Sequence, residues 1–272
     1  MLLLSLDGFR WDYVELHKEL VPNLRRLLAE GSSAERMLTV SPSKTLASHW
    51  SIITGLPPVA TGILENNFLD AQGRRFDAEK GESQGHWWQR AEPLWVTAER
   101  QGVRTAPLLW PGSGAGRIRG VLPSYAMEWD GADDVVDFGA ELTEVRRLLR
   151  LPHGQRPRFL TTYWDGVDHA GHRHGPDSRQ LRAALAEADG LVGQLLATLD
   201  EEGWGAERMN VVVVSDHGMA RVRPSCTLEL SAVLSRRQLR ALDFSHPRAK
   251  LVDGLALAQL RPKASLPRRR RA

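Results

Sequence analysis

Val211-Val-Val-Val-Ser215-Asp216-His217-Gly218 is a run of β-branched residues with no polar alternation, closed by an acid, an imidazole and a glycine. Such a run reads as a strand buried on both faces, and the pattern places Met209 to Ser215 as a central strand of a parallel sheet. Two more stretches have the same design. Leu2 to Leu6 is followed by Asp7-Gly8, and Arg158 to Trp164 by Asp165-Gly-Val-Asp168-His-Ala-Gly-His172. Ligands of open parallel sheets lie outside the carboxyl ends of the strands, so Asp7, Asp168 and Asp216 are expected to share one crevice.

Helical patterns fill the gaps between these runs. Val21 to Glu30 has proline near its first turn and Gly31 as its C-cap, and Thr45 to Thr54 has helical spacing stopped by Gly55. Pro93 to Gln101, Val135 to Leu149 and Ser178 to Glu202 read as further helices, and Ala34 to Val40 and Val103 to Trp110 as extended runs. Asn66 to Gly85 is polar and weakly patterned, an excursion over the active face. Pro111-Gly-Ser-Gly-Ala-Gly116 lacks the spacing of a phosphate-binding loop and reads as a plain loop. The alternation implies an α/β fold: a doubly wound, mostly parallel sheet with helices on both faces.

A chain of 272 residues with 42% hydrophobic content can bury a full core, so one large domain over residues 1–254 is expected. The net charge of +3 is concentrated at one end. Arg261, Lys263 and Arg268 to Arg271 carry six positive charges with no acid among residues 255–272, and without them 30 basic side chains face 33 acidic ones. The body therefore has no basic stripe suited to nucleic acid, and 255–272 reads as a basic, disordered tail. Cys226 stands alone and excludes an internal disulfide. No stretch is long and apolar enough to span a bilayer, and the first residues are too short for a signal segment. As written the chain is expected to be cytoplasmic, or periplasmic or secreted if its N-terminus is incomplete.

Each candidate residue has a plain reading beside its chemical one. Asp7-Gly8 taken alone is an ordinary turn or helix cap. Asp216-His217 at the end of a buried strand offers two kinds of metal ligand at one crevice, and Asp168 and His172, four apart around Gly171, are read as a loop folding onto one ion. Thr45 is an N-cap, or, beside a metal, a hydroxyl held as an alkoxide at the positive end of a helix. Clustered buried carboxylates are costly unless a cation neutralises them, which points to a two-metal hydrolase.

Ser5-Leu-Asp7-Gly8-Phe-Arg, Pro22-Asn-Leu, Ser43-Lys-Thr45, Thr54-Gly-Leu-Pro, Gly62-Ile-Leu-Glu-Asn66-Asn, Asp168-His-Ala-Gly-His172-Arg-His-Gly-Pro and Ser215-Asp-His-Gly-Met219 resemble, in order and spacing, the nucleotide pyrophosphatase/phosphodiesterase family of the alkaline phosphatase superfamily. The resemblance runs from about Leu2 to about Leu234. It implies that Asp7, Thr45, Asp216 and His217 bind one zinc and Asp168 and His172 the other. Thr45 is then the nucleophile, and Asn66 donates to a non-bridging phosphoryl oxygen. Leu46, Tyr163 and one of Tyr125 or Trp129 fall at nucleotide-pocket positions. The implied reaction cleaves nucleotide phosphodiester or pyrophosphate bonds through a nucleotidyl-threonine and releases nucleoside 5′-monophosphates.

The chain departs from the family pattern after His217. Relatives have a further zinc-binding histidine roughly a hundred residues on, whereas here only His246 follows, in a setting that does not match. The expectation is a C-terminally truncated domain with an under-coordinated second zinc and an uncovered apolar edge. Two other readings are carried with the first: an inactive relic that binds nucleotide or metal, and a phosphonate or phospholipid-headgroup hydrolase with the same metal core.

Overall fold

The structure is a computed structural model that describes residues 1–70, 72–78, 85–128, 135–222 and 230–240. In chain order its first elements are β1 (Leu2–Leu6), α1 (Tyr13–Leu16), α2 (Pro22–Glu30), α3 (Thr45–Thr54) and α4 (Pro58–Thr61). A hairpin of β2 (Asn67–Leu69) and β3 (Arg75–Asp77) follows, then α5 (Leu94–Arg100) and β4 (Thr105–Pro107). The rest is α6 (Phe138–Leu149), β5 (Phe159–Trp164), α7 (Gly166–His174), α8 (Arg179–Glu201) and β6 (Val211–Val214).

Strands pair in the order β4-β5-β1-β6, all parallel. Period-two alternation along β1 decides which side each residue serves. Leu2, Leu4 and Leu6 enter one core with Leu24 of α2, Val145 and Leu148 of α6, and Leu181, Leu185 and Leu195 of α8. Leu3 enters the other, with Leu46, Trp50 and Ile53 of α3 and Trp95 of α5. Helices therefore cover both faces, as the alternating pattern implies. The register sets Ser5 beside Tyr163 on one side and Val214 on the other. Asp7 and Asp216 each leave the sheet two residues beyond the Ser5–Val214 pair, on one rim.

Local chemistry explains the helix ends. Ser178 Oγ accepts the Leu181 N–H at 3.0 Å to start α8, and Asp137 Oδ1 accepts the Gly139 and Ala140 N–H groups at 2.9 and 3.2 Å to start α6. That cap is why α6 begins at Phe138 and not at Val135. The start of α2 is satisfied from a distance: buried Asp189 of α8 accepts the Asn23 and Leu24 N–H groups at 3.1 and 2.8 Å.

Four expectations change. Ala34 to Val40 forms no strand and is largely exposed, because no neighbour among the described residues takes its backbone ladder. The run from Val103 to Trp110 shortens to β4, since Pro107 offers no N–H and Leu109 turns to φ 48°. The excursion after Asn66 contains the antiparallel β2–β3 hairpin. The valine strand is not central among the described residues: β6 pairs only with β1, and Val212 is 40% exposed.

The chain divides into two compact units, Met1–Ala220 and Arg221–Ala272. In the second, the described elements are α9 (Leu230–Val233) and α10 (Arg236–Arg240). Trp129, Cys226, His246 and the tail at 255–272 lie outside the described residues. Among the described residues, no helix is long and apolar enough to cross a membrane.

Candidate active site

Three carboxylates converge on the rim where β1, β5 and β6 end. Asp7 and Asp216 are buried and Asp168 nearly so. Ligand atoms of Asp7, Asp168 and His217 lie within 4.8 Å of one another, and so do those of Asp7, His49 and Asp216. Gly8 makes the approach feasible. Its φ is +69°, and a Cβ there would sit 2.8 Å from the Asp168 Cα, so the left-handed turn and the bare backbone together let Asp168 come down onto Asp7.

Asp168 and His172 are on a helix, not a loop: α7 starts two residues after β5, and the i,i+4 spacing stacks the two side chains on one face. His172 Nε2 is 3.5 Å from Asp168 Oδ1 and is the exposed member of the pair. His217 Nε2 is 3.1 Å from Asp216 Oδ2 and 3.6 Å from Asp7 Oδ1.

In Asp7 and Asp216 one oxygen is held and the other is not. Asp7 Oδ2 accepts the Tyr163 hydroxyl at 2.6 Å, and Asp216 Oδ1 accepts the Gly8 N–H at 3.2 Å. Asp7 Oδ1, Asp168 Oδ1 and Asp216 Oδ2 are buried with no hydrogen-bond partner among the described residues; the His217 ring is near Asp216 but not aligned to donate. Leaving such an oxygen unsatisfied costs about 1–3 kcal/mol, more when it is charged. Like charges roughly 4 Å apart repel by about 4 kcal/mol at an effective dielectric near 20. Burial, then Asp216 and Asp168, push the Asp7 pKa well above the carboxylate range. Burial, with Asp168 adding, pushes Asp216 up to about 7. Oxygen and imidazole donors with orphan lone pairs suit a divalent cation; among the described residues the groups that gather are Asp7 with Asp168 and His217, and Asp7 with His49 and Asp216, while His172 joins neither.

Thr45 is the first helical residue of α3, and Lys44 takes the N-cap place without a side-chain cap. Asn66 Oδ1 accepts the Leu46 N–H at 3.1 Å, which turns its NH₂ group away from that bond. His49, four residues after Thr45, holds the Thr45 carbonyl with Nδ1 at 2.8 Å and meets Ser5 Oγ with Nε2 at 2.8 Å. Thr39 Oγ1 donates to the Asp216 carbonyl at 2.6 Å and lies 3.1 Å from Ser48 Oγ, which ties the end of β6 to α3.

Leu46 and Tyr163 are buried, Leu46 in the tryptophan-rich core and Tyr163 with its hydroxyl on Asp7. The Tyr125 hydroxyl donates to the Gln155 carbonyl at 2.9 Å. His169 sits 3.5 Å from Asp165. Sequence reasoning passed over His49 and Glu141. Glu141 is wholly buried on α6, accepts the Tyr163 N–H at 3.1 Å, and has its pKa raised by that burial. A histidine four residues after a candidate nucleophile, on the same helical face, was the available signal for the first; nothing local marks the second.

The profile described as type I phosphodiesterase/nucleotide pyrophosphatase matches residues 1–272. The chain belongs to this family. Human ectonucleotide pyrophosphatase/phosphodiesterase family member 1 is 36% identical over 219 residues, 80% of this chain and 23% of that protein. In structure, murine ectonucleotide pyrophosphatase/phosphodiesterase 5 is similar with a TM-score of 0.78 and 26% identity, over 89% of this chain and 62% of that one. An inactive threonine-to-alanine variant of the same murine protein, in complex with AMP, is similar with a TM-score of 0.78 and 25% identity, over the same shares. The chain thus spans about a quarter of the curated relative and under two thirds of the solved ones. By their names these relatives are hydrolases of phosphodiester and pyrophosphate bonds. The family places the doubly wound sheet among alkaline phosphatase-like folds, of which this chain covers part.

Proposed function

We propose that this family member hydrolyses nucleotide phosphodiester or pyrophosphate bonds by double displacement through Thr45. The observation that carries the reading is the convergence of three orphan carboxylate oxygens on the rim where Asp7, Asp168 and Asp216 meet, with Thr45 at the first position of α3. A relative whose threonine-to-alanine variant is inactive and was captured with AMP supports both the nucleophile and the nucleotide.

Asp7, Asp216 and His217 would hold one zinc with Thr45, and Asp168 and His172 the second. Bound there, the pair would supply Lewis acidity to the attacking and leaving oxygens. The protein's own groups do the rest. Thr45 Oγ attacks phosphorus, and the bond to the alcohol or second phosphate breaks. Water then displaces the threonine and frees a 5′-monophosphate. Asn66, anchored through Oδ1, points its amide hydrogens at a non-bridging oxygen, and the positive N-terminal end of α3 favours the same negative charge. Buried Tyr163 holds Asp7 in place, and that contact, not base stacking, is the role we assign to it.

The test is turnover of a chromogenic thymidine-monophosphate ester with added zinc. Thr45→Ala is expected to lose activity by a factor on the order of 10³ or more. Retention of full turnover would remove Thr45 from the reaction.

A further inference from the structure

His49 lies in the second group of three metal-type side chains, with Asp7 and Asp216, yet both of its ring nitrogens are already used. A carbonyl oxygen only accepts, so the 2.8 Å contact between Nδ1 and the Thr45 carbonyl requires the proton on Nδ1. Nε2 then carries the lone pair, and the Ser5 hydroxyl 2.8 Å away donates to it. Ser5 belongs to β1, two residues before Asp7, and is wholly buried, as is His49. The edges or faces of Trp110 and Tyr163 meet the imidazole with ring centroids 5.1 Å away and interplanar angles of 81° and 83°, which fixes its plane.

From this geometry we infer that His49 is a positioning residue and not a ligand: a single-tautomer strut that locks the first turn of α3, and so Thr45, to the strand that carries Asp7. The inference rests on Thr45 being the nucleophile. The strut runs from Ser5 through both ring nitrogens to the Thr45 carbonyl, so it sets the rotation of the helix start against the strand end. A misplacement of about 1 Å between reacting groups costs on the order of 10²-fold in rate. Nothing else polar among the contacts described joins β1 directly to the Thr45 backbone.

The experiment compares His49→Asn, His49→Gln and His49→Leu with the native chain, with zinc present. An asparagine amide nitrogen falls where Nδ1 does and keeps the bond to Thr45; glutamine reaches toward Ser5 and loses Thr45; leucine loses both. Asn and Gln each keep only one end of the strut and Leu keeps neither, so all three are expected to lose kcat by about 10²-fold with little change in KM. Thermal stability should rank differently, since Gln and Leu fill the space better than Asn; a merely structural role would make activity follow stability. Nitrogen-15 spectra of the native ring should show the proton on Nδ1. A proton on Nε2, or an Asn or Gln variant that keeps kcat within about 10-fold, would overturn the strut. Absence of turnover in the native chain would instead count against the phosphodiesterase reading, and the ring spectra would still decide the role of His49.

Discussion

Tyr163 donates its hydroxyl to Asp7 at 2.6 Å from inside the core, and burial together with Asp7 keeps that phenol protonated by raising its pKa. The donor leaves only Asp7 Oδ1 facing the cleft. Tyr163→Phe should therefore keep the fold and weaken zinc binding by about 10-fold, as loss of a hydrogen bond behind a ligand does. Competition with a chelating dye measures it, and unchanged affinity would refute the role. The sequence shows the tyrosine and the aspartate but not that they touch, since 156 residues separate them. The resemblance alone puts Tyr163 and Leu46 at pocket positions, and both side chains are buried. Only the packed structure shows which way a strand or helix residue faces.

At the scale of elements, the junction of β1 with α7 depends on Gly8. A side chain there would need φ +69° and would meet Asp168 Cα and Cβ at 2.8 and 2.9 Å. Left-handed backbone alone costs a non-glycine residue roughly 1–2 kcal/mol, and the clash adds to it. Gly8→Ala should lower unfolding free energy by at least about that amount in urea titrations, while Gly55→Ala, with open space around its Cβ, should cost only the backbone term. Equal losses in both would mean that the Asp168 contact is not tight. The strands and helices themselves were legible, because runs such as Leu2 to Leu6 and the capped 23-residue α8 have clear periods. Strand position was not. A valine run signals burial on two faces but does not say which neighbour provides it, and β6 has β1 on one side only among the described strands.

For the whole molecule, the acid cluster makes stability depend on pH and metal together. The Asp216 pKa of about 7 lies above its ordinary value of 3.8, so the stability it contributes is complete below about 4 and is lost as pH rises through 7. Asp7 is raised in the same direction. His49 works the other way: burial lowers it from 6.5 to about 3, so its contribution is complete above 6.5 and is lost as pH falls toward 3. The metal-free protein is thus expected to have a higher urea midpoint at pH 6 than at pH 8, with two raised acids outweighing one histidine. Zinc should reverse the order, because binding requires the carboxylates ionised and becomes tighter as they lose protons. At 100 times its dissociation constant, a ligand of the folded state adds about 2.7 kcal/mol. A metal-free midpoint that rises from pH 6 to pH 8 would contradict the electrostatics of the cluster.

The rim acids are expected to gather cations beside Thr45. Anomalous diffraction at the zinc edge, on crystals of the protein grown with zinc, tests it most directly. One peak bound by Asp7, Asp216 and His217 within reach of Thr45 Oγ is expected, and a second, weaker one at Asp168 and the more exposed His172. Zinc found only at surface histidines, with Asp7 and Asp216 unbound, would contradict it.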